Sequence, residues 1–365
     1  MFGLDRAAVE ARHADLAEAL RTHWPVSVVA YSCKTNYEVG RLCPAVRSWA
    51  EVVSAREYAM ARAWGVPGHQ IVFNGPHKTA AGLDRALDDG AIVHLDHPTE
   101  LSRLLRRAAL RASPAEVGLR LCITPSGRAP SRFGFGVESG EAFEAAAAIH
   151  AADGLQLTAL HAHLGTDVDS AADHERGAEI LGTFARTLRQ RLGVTLSSID
   201  TGGGFPARLK PYELATWNPR PLSEYIRTIT RALRKTLPDG PLPCLIVEPG
   251  RSLVDDAMVM VTRVLNVRDV GGTQEVLVDA TRAMLPMCAY HPLAPRAHGG
   301  DFRPLTGPRL PTRLLGSSCV EGDVLFEGRL PAMEPDRQIV FYSVGAYHQS
   351  MAGPFIYDTP PTVLL

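Results

Sequence analysis

Four places along the 365-residue chain carry residue types that could act together, each following a short apolar run. Lys34 follows Val-Ser-Val-Val-Ala-Tyr-Ser-Cys. A lysine there is desolvated, at a free-energy cost unless something uses it. Desolvation lowers a lysine pKa and favours the neutral amine that forms a Schiff base; the alternative is a lysine paired with a carboxylate. Gly202, Gly203 and Gly204, in DTGGGFP, offer three successive N–H groups unshielded by side chains, a nest for a phosphate or simply a tight turn. Glu248 follows Leu-Ile-Val and precedes Pro249 and Gly250. It could hold a protonated ring nitrogen, or pair with Arg251, whose guanidinium also suits a phosphate. His163, in HAHLGT, is a flat ring for stacking or a packed histidine. His161 points the same way along a strand. A metal pair is conceivable there, but no neighbouring carboxylate motif completes a ligand set, so metal chemistry is discounted. A Schiff-base lysine, a phosphate nest, a carboxylate and a flat ring together suit pyridoxal phosphate.

The elements that must position these residues repeat one theme. A short β-rich run is followed by a longer run of helical period. Strands are expected at 28–32, 51–54, 70–73, 92–95, 117–123, 157–163, 198–200 and 245–248. Helices are expected at 55–64, 79–88, 98–110, 139–152, 173–192 and 223–237, with an amphipathic helix near the N-terminus. Eight strands over roughly 250 residues is the pattern of a (β/α)8 TIM-like barrel. The runner-up, an open doubly wound sheet, lacks a G-x-G-x-x-G in its first turn. In such a barrel the site lies at the C-terminal strand ends, where Lys34, His163, Gly202–Gly204, Glu248 and Arg251 all fall. After residue 255 strands are expected at 258–267, 275–279, 323–327 and 338–342 without convincing helices. This reads as an α/β barrel over 1–255 and a C-terminal mainly-β domain over 256–365. The stretch 291–311, rich in Pro, Gly and Arg, reads as an exposed loop.

Bulk composition narrows the function classes. Net charge is −1, and 45% of residues are hydrophobic. No charge block suggests nucleic acid or a membrane surface, and no apolar run is long enough to span a bilayer. The N-terminus lacks the apolar segment of a secretory signal, and the six cysteines form no C-x-x-C pair. A cytoplasmic setting is expected.

The motifs resemble the fold-type III pyridoxal-phosphate decarboxylases: the diaminopimelate, ornithine and arginine decarboxylase family, relatives of alanine racemase. The similar blocks are YSCKTN at 31–36, EVVSAREYAMA at 51–61, IVFNGPHKT at 71–79, SRFGFG at 131–136, HAHLGT at 161–166, DTGGGFP at 200–206, EPGRSLV at 248–254, CVEGDVL at 319–325 and GAYHQSM at 345–351. The resemblance implies that Lys34 carries the cofactor as a Schiff base and that His163 stacks on its ring. It implies that Thr166, Gly202, Gly203, Gly204, Gly250, Arg251 and Tyr347 surround the phosphate, and that Glu248 pairs with the pyridine nitrogen. It further implies a head-to-tail homodimer with shared sites, in which Cys319 arrives from the other copy to protonate Cα, with Asp323 on the same loop. Cys319 read alone would be a buried small hydrophobe.

The chain departs from diaminopimelate decarboxylases at the substrate's distal end. Val320 stands where they have an acid after the cysteine, and Leu285-Pro286 where they have Arg-Pro. The stretch TRAMLPMCAYHP is instead similar to the branch acting on conjugated diamino acids in siderophore assembly. The N-terminal strand that joins the β domain in relatives is expected to be missing from so short an N-terminus. Two rivals remain: a racemase, disfavoured by Glu248 where racemases use arginine, and a non-catalytic decarboxylase-like regulator, disfavoured by the retained cofactor residues.

Overall fold

The structure, a computed structural model, describes residues 1–108, 114–129, 131–208 and 218–365. In chain order the strands are β1 Phe2–Leu4, β2 Ser27–Ser32, β3 Trp49–Val52, β4 Ile71–Phe73, β5 Ile92–Leu95, β6 Ala115–Cys122, β7 Phe135–Gly136, β8 Leu155–His161, β9 Ser198–Asp200, β10 Cys244–Val247, β11 Met258–Val270, β12 Thr273–Val278, β13 Pro295–His298, β14 Arg309–Leu315, β15 Val324–Pro331, β16 Gln338–Phe341 and β17 Thr362–Leu364.

Strands β5-β4-β3-β2-β10-β9-β8-β6 pair side by side, and β5 also pairs with β6, so the sheet closes on itself. All eight are parallel, and helices run between most of them. This is the expected (β/α)8 barrel, each strand within a few residues of its expected span. The helix expected to reach Leu110 is described over Pro98–Ala108; its end lies outside the described residues. The N-terminal helix Arg6–His23 starts where the Asp5 carboxylate accepts from the Ala8 N–H, and buries Val9, His13, Leu16 and Leu20 on one face.

The second sheet runs β13-β16-β11-β12-β14-β15, with β1 against β11 and β17. Three expectations are corrected here. The N-terminal strand is present: Phe2 pairs with Met260 and Thr362, and β1 is buried throughout. A barrel boundary at residue 1 therefore misplaces residues 2–4, which belong to the second sheet. The stretch 291–311 is not simply an exposed loop. Within it β13 pairs with β16, and Leu293, Ala297 and His298 are buried. No described helix is long and apolar enough to cross a membrane.

Candidate active site

The strand register gathers polar side chains at one end of the barrel. Ser32 pairs with Glu51, Arg120 with His161, and His161 with Asp200. Neighbours across a parallel ladder face the same way.

Lys34 lies in the turn Cys33–Thr35 after β2. Its Nζ donates to Glu51 Oε2 at 2.5 Å and Ser32 Oγ at 2.6 Å. Burial alone would lower the Lys34 ammonium, but Glu51, then Tyr347 and Glu248, outweigh it and hold it above the ordinary lysine value. The expectation of a depressed lysine pKa is therefore corrected. The amine stands in an ion pair with a carboxylate that is 1% exposed.

Glu248 follows β10 and is buried. Its Oε1 accepts from Asn74 Nδ2 at 2.5 Å, and its Oε2 lies 3.6 Å from His161 Nε2. Arg251 instead sits 3.4 Å from Asp255 Oδ1 and 3.6 Å from Asp167 Oδ2, with its guanidinium over the Tyr347 ring at 5.3 Å. The alternative pairing of Glu248 with Arg251 is thus not made. Burial, only partly offset by Arg251, raises the Asp255 carboxyl to about 7.

His163 Nδ1 accepts from the Gly203 N–H at 3.2 Å. Burial, with the charge of Lys34 behind it, brings its pKa down to about 3, so the ring is neutral. The Gly202 N–H is spent on Asp200 Oδ1 at 2.8 Å. Of the three N–H groups only Gly204's has no hydrogen-bond partner among the described residues, so the expected three-donor nest is reduced to one donor. The glycines are needed for closeness: a Cβ on Gly202 would lie 2.6 Å from the Ala162 carbonyl oxygen, and one on Gly203 would collide with the Glu248 carbonyl. Gly250 packs against the Thr35 hydroxyl in the same manner. Thr166 is exposed, and its carbonyl accepts from Arg128 at 3.2 Å. Tyr347 N–H donates to the Thr35 carbonyl at 2.8 Å, tying the second sheet's Tyr347 to the turn that bears Lys34.

The carboxylates missed beside His161 are present. Ligand-type atoms of His161, Asp200 and Glu248 lie within 4.8 Å of one another. His163 is not among them. Burial, then Glu248, raises the Asp200 carboxyl well above the usual range. The whole set fits pyridoxal phosphate better than a metal. It offers an amine, a buried carboxylate, a neutral ring and an arginine around a turn that any Cβ would fill.

Cys319 and Val320 are exposed on the turn before β15, which overturns the buried reading of Cys319. Asp323 is on that turn, but its carboxylate accepts from the Arg282 and Ser318 N–H groups at 2.8 and 3.1 Å. It shapes the turn rather than facing outward. Leu285, expected to line a substrate, is 0% exposed and packs in the core.

Sequence reading missed Ser32, Glu51, Asn74, His94 and Asp200. The signal was available: each is a polar residue near the C-terminal end of a strand otherwise buried and apolar.

Residues 6–255 match the family described as pyridoxal-dependent decarboxylase, pyridoxal binding domain. A diaminopimelate decarboxylase of Actinosynnema pretiosum subsp. auranticum is 30% identical, over 99% of this chain and 82% of its own. In fold the chain is similar to diaminopimelate decarboxylase from Helicobacter pylori complexed with L-lysine (TM-score 0.84, 23% identity, 97% and 88% of the two chains). It is also similar to lysine decarboxylase from Selenomonas ruminantium (TM-score 0.83, 22% identity, 100% and 92%). The barrel, the lysine–carboxylate mouth and these matches agree: the chain belongs to the pyridoxal-dependent decarboxylase family and is a pyridoxal-phosphate-dependent amino-acid decarboxylase, a carboxy-lyase.

Proposed function

We propose that the substrate is a diamino acid or, in preference, its conjugate through the distal amine, as in siderophore or other specialised metabolism. The observation that carries this reading is Val320, exposed on the Cys319 turn where an acid would be needed. It offers no charge to a second amino-acid head group, and burying that group unpaired is costly. Diaminopimelate is disfavoured on the same ground.

Each residue has a part in this reading. Glu51 and Ser32 hold the Lys34 amine at the mouth, ready to take the cofactor aldehyde. Glu248 would keep a proton on the pyridine nitrogen. The neutral His163 would offer its ring to the cofactor without adding charge. The Gly204 N–H, Thr166, Gly250, Arg251 and Tyr347 hold the phosphate, Arg251 as a charge-assisted donor. When bound, pyridoxal phosphate takes up the electron pair left at Cα as CO2 departs. The thiol of Cys319 returns a proton to Cα. The exposure of Cys319 supports a homodimer in which each copy completes the other's site. A racemase would benefit from a weaker electron sink; Glu248, a buried carboxylate, favours decarboxylation.

A CO2-release screen tests the substrate. Free lysine, ornithine and diaminopimelate are compared with amino acids acylated at the distal amine. Highest kcat/KM on an acylated substrate is expected; highest kcat/KM on diaminopimelate would overturn the proposal.

A further inference from the structure

Asn74 follows β4, is buried, and engages both ends of its side-chain amide. Its Nδ2 donates to Glu248 Oε1 at 2.5 Å and to Glu51 Oε1 at 3.3 Å. Its Oδ1 lies 2.7 Å from His94 Nδ1. A carbonyl oxygen only accepts, so Nδ1 carries the hydrogen. Flipping the amide would turn an oxygen on two carboxylates, so the carboxylates select this orientation and with it the hydrogen on His94 Nδ1. His94 is fixed in turn by stacking on His161, with ring centroids 4.9 Å apart and planes 17° from parallel. Gly118, opposite His94 in the ladder, leaves room for that stack, because a Cβ there would collide with the His94 ring.

Three carboxyl groups, of Glu51, Asp200 and Glu248, are thus buried at one barrel mouth. Asn74 donates to two of them. Asp200 Oδ2 receives no donor; a proton on it would give it Glu248 as acceptor. Hydrogen bonds from an amide favour the ionised form of a carboxylate, and three buried charges of one sign are not sustained together.

We propose that Asn74, oriented by His94, is a positioning residue that ties the carboxylate holding Lys34 to the carboxylate facing the ring nitrogen and keeps the negative charge on those two. The proton left over resides on Asp200. This inference rests on reading Glu248 as the partner of the ring nitrogen.

The test uses apo-protein titrated with pyridoxal phosphate and with its 1-deaza analogue, in which carbon replaces the ring nitrogen. Wild type is expected to prefer pyridoxal phosphate, since only it presents a nitrogen to Glu248. Asn74→Ala should shrink that preference roughly tenfold or more, the loss expected of a charge-assisted hydrogen bond. His94→Phe keeps a ring on His161 but removes the Nδ1 hydrogen, and should shrink the preference in the same direction by a smaller factor. A merely structural role would weaken both ligands alike and leave the ratio unmoved. Retention of the full preference in folded Asn74→Ala, or in His94→Phe if that variant alone folds, overturns the inference. Absence of any preference in wild type overturns instead the reading of Glu248.

Discussion

The Lys34 ammonium lies 2.5 Å from Glu51 Oε2, and Ser32 Oγ donates to the same carboxylate oxygen at 2.5 Å. The amine is therefore held in place but also held protonated, while capture of an aldehyde needs it neutral. Glu51 is the nearest acceptor for the proton that must leave. Glu51→Gln keeps the shape and removes the acceptor. Capture of pyridoxal phosphate by apo-protein, followed by stopped-flow of the visible band of the lysine-bound cofactor, should slow by about a hundredfold. An unchanged rate would remove Glu51 from the proton path.

Glu248 is the carboxylate on which electron withdrawal depends. In Glu248→Gln a neutral amide replaces it, and a neutral amide does not stabilise a pyridinium. CO2 release should fall by about 10²–10³-fold, the range for removing one electrostatic stabiliser of a transition state. Circular dichroism and cofactor reduction onto Lys34 by borohydride should persist. Normal turnover in that variant would place the electron sink elsewhere.

The barrel and its chemistry were legible for different reasons. The eight strands are apolar runs at regular spacing, and each barrel strand pairs with its neighbours in sequence, β10 closing back onto β2. Lys34, Glu248 and Arg251 follow those runs directly, so their placement came with the strands. The polar belt behind them did not, because Glu51, Asn74, His94 and Asp200 gain meaning only when the barrel closes and the register sets them side by side. β1 is three residues long, too short for any period, and its partners β11 and β17 lie more than 250 residues away. β14 was hidden by Pro311, which reads against a strand. The ladder tolerates it there because pairing with β12 begins only at Thr312. Asp323 shows the limit of motif transfer: it lies near Cys319 in sequence, but its carboxylate is turned onto backbone N–H groups, which no motif reveals.

The Gly203 turn gives a prediction about packing alone. A Cβ there meets the Glu248 carbonyl, and backbone yields less readily than a side-chain tip. Gly203→Ala should lower apo-protein stability by about 1–3 kcal/mol in urea unfolding, as overpacking does. It should also weaken pyridoxal phosphate binding, because Glu248 and His163 both lean on this turn. Gly300→Ala, where nothing lies within 4 Å, is the control and should change neither. Equal behaviour of the two variants would show that the turn relaxes freely.

Asp255 gives a pH dependence with a definite sign. Its carboxyl is raised to about 7 by burial, against 3.8 as the ordinary value. Between those values the folded chain holds a proton that the unfolded chain has released. The stability contributed by this group is therefore full below about pH 4 and is lost as pH rises through 7. His163 and His348, both lowered to about 3 by burial, act oppositely: their contribution is full above 6.5 and is lost as pH falls towards 3. The wild-type profile mixes these slopes, so the difference between variants is the clean quantity. Asp255→Asn cannot titrate, yet its amide can still accept from the Ala346 N–H as Asp255 does now at 3.3 Å. The thermal midpoint of apo wild type minus that of apo Asp255→Asn should fall steadily from pH 4 to pH 7 and level off above. A difference that stays flat across this window would mean that Asp255 is already ionised by Arg251 at low pH.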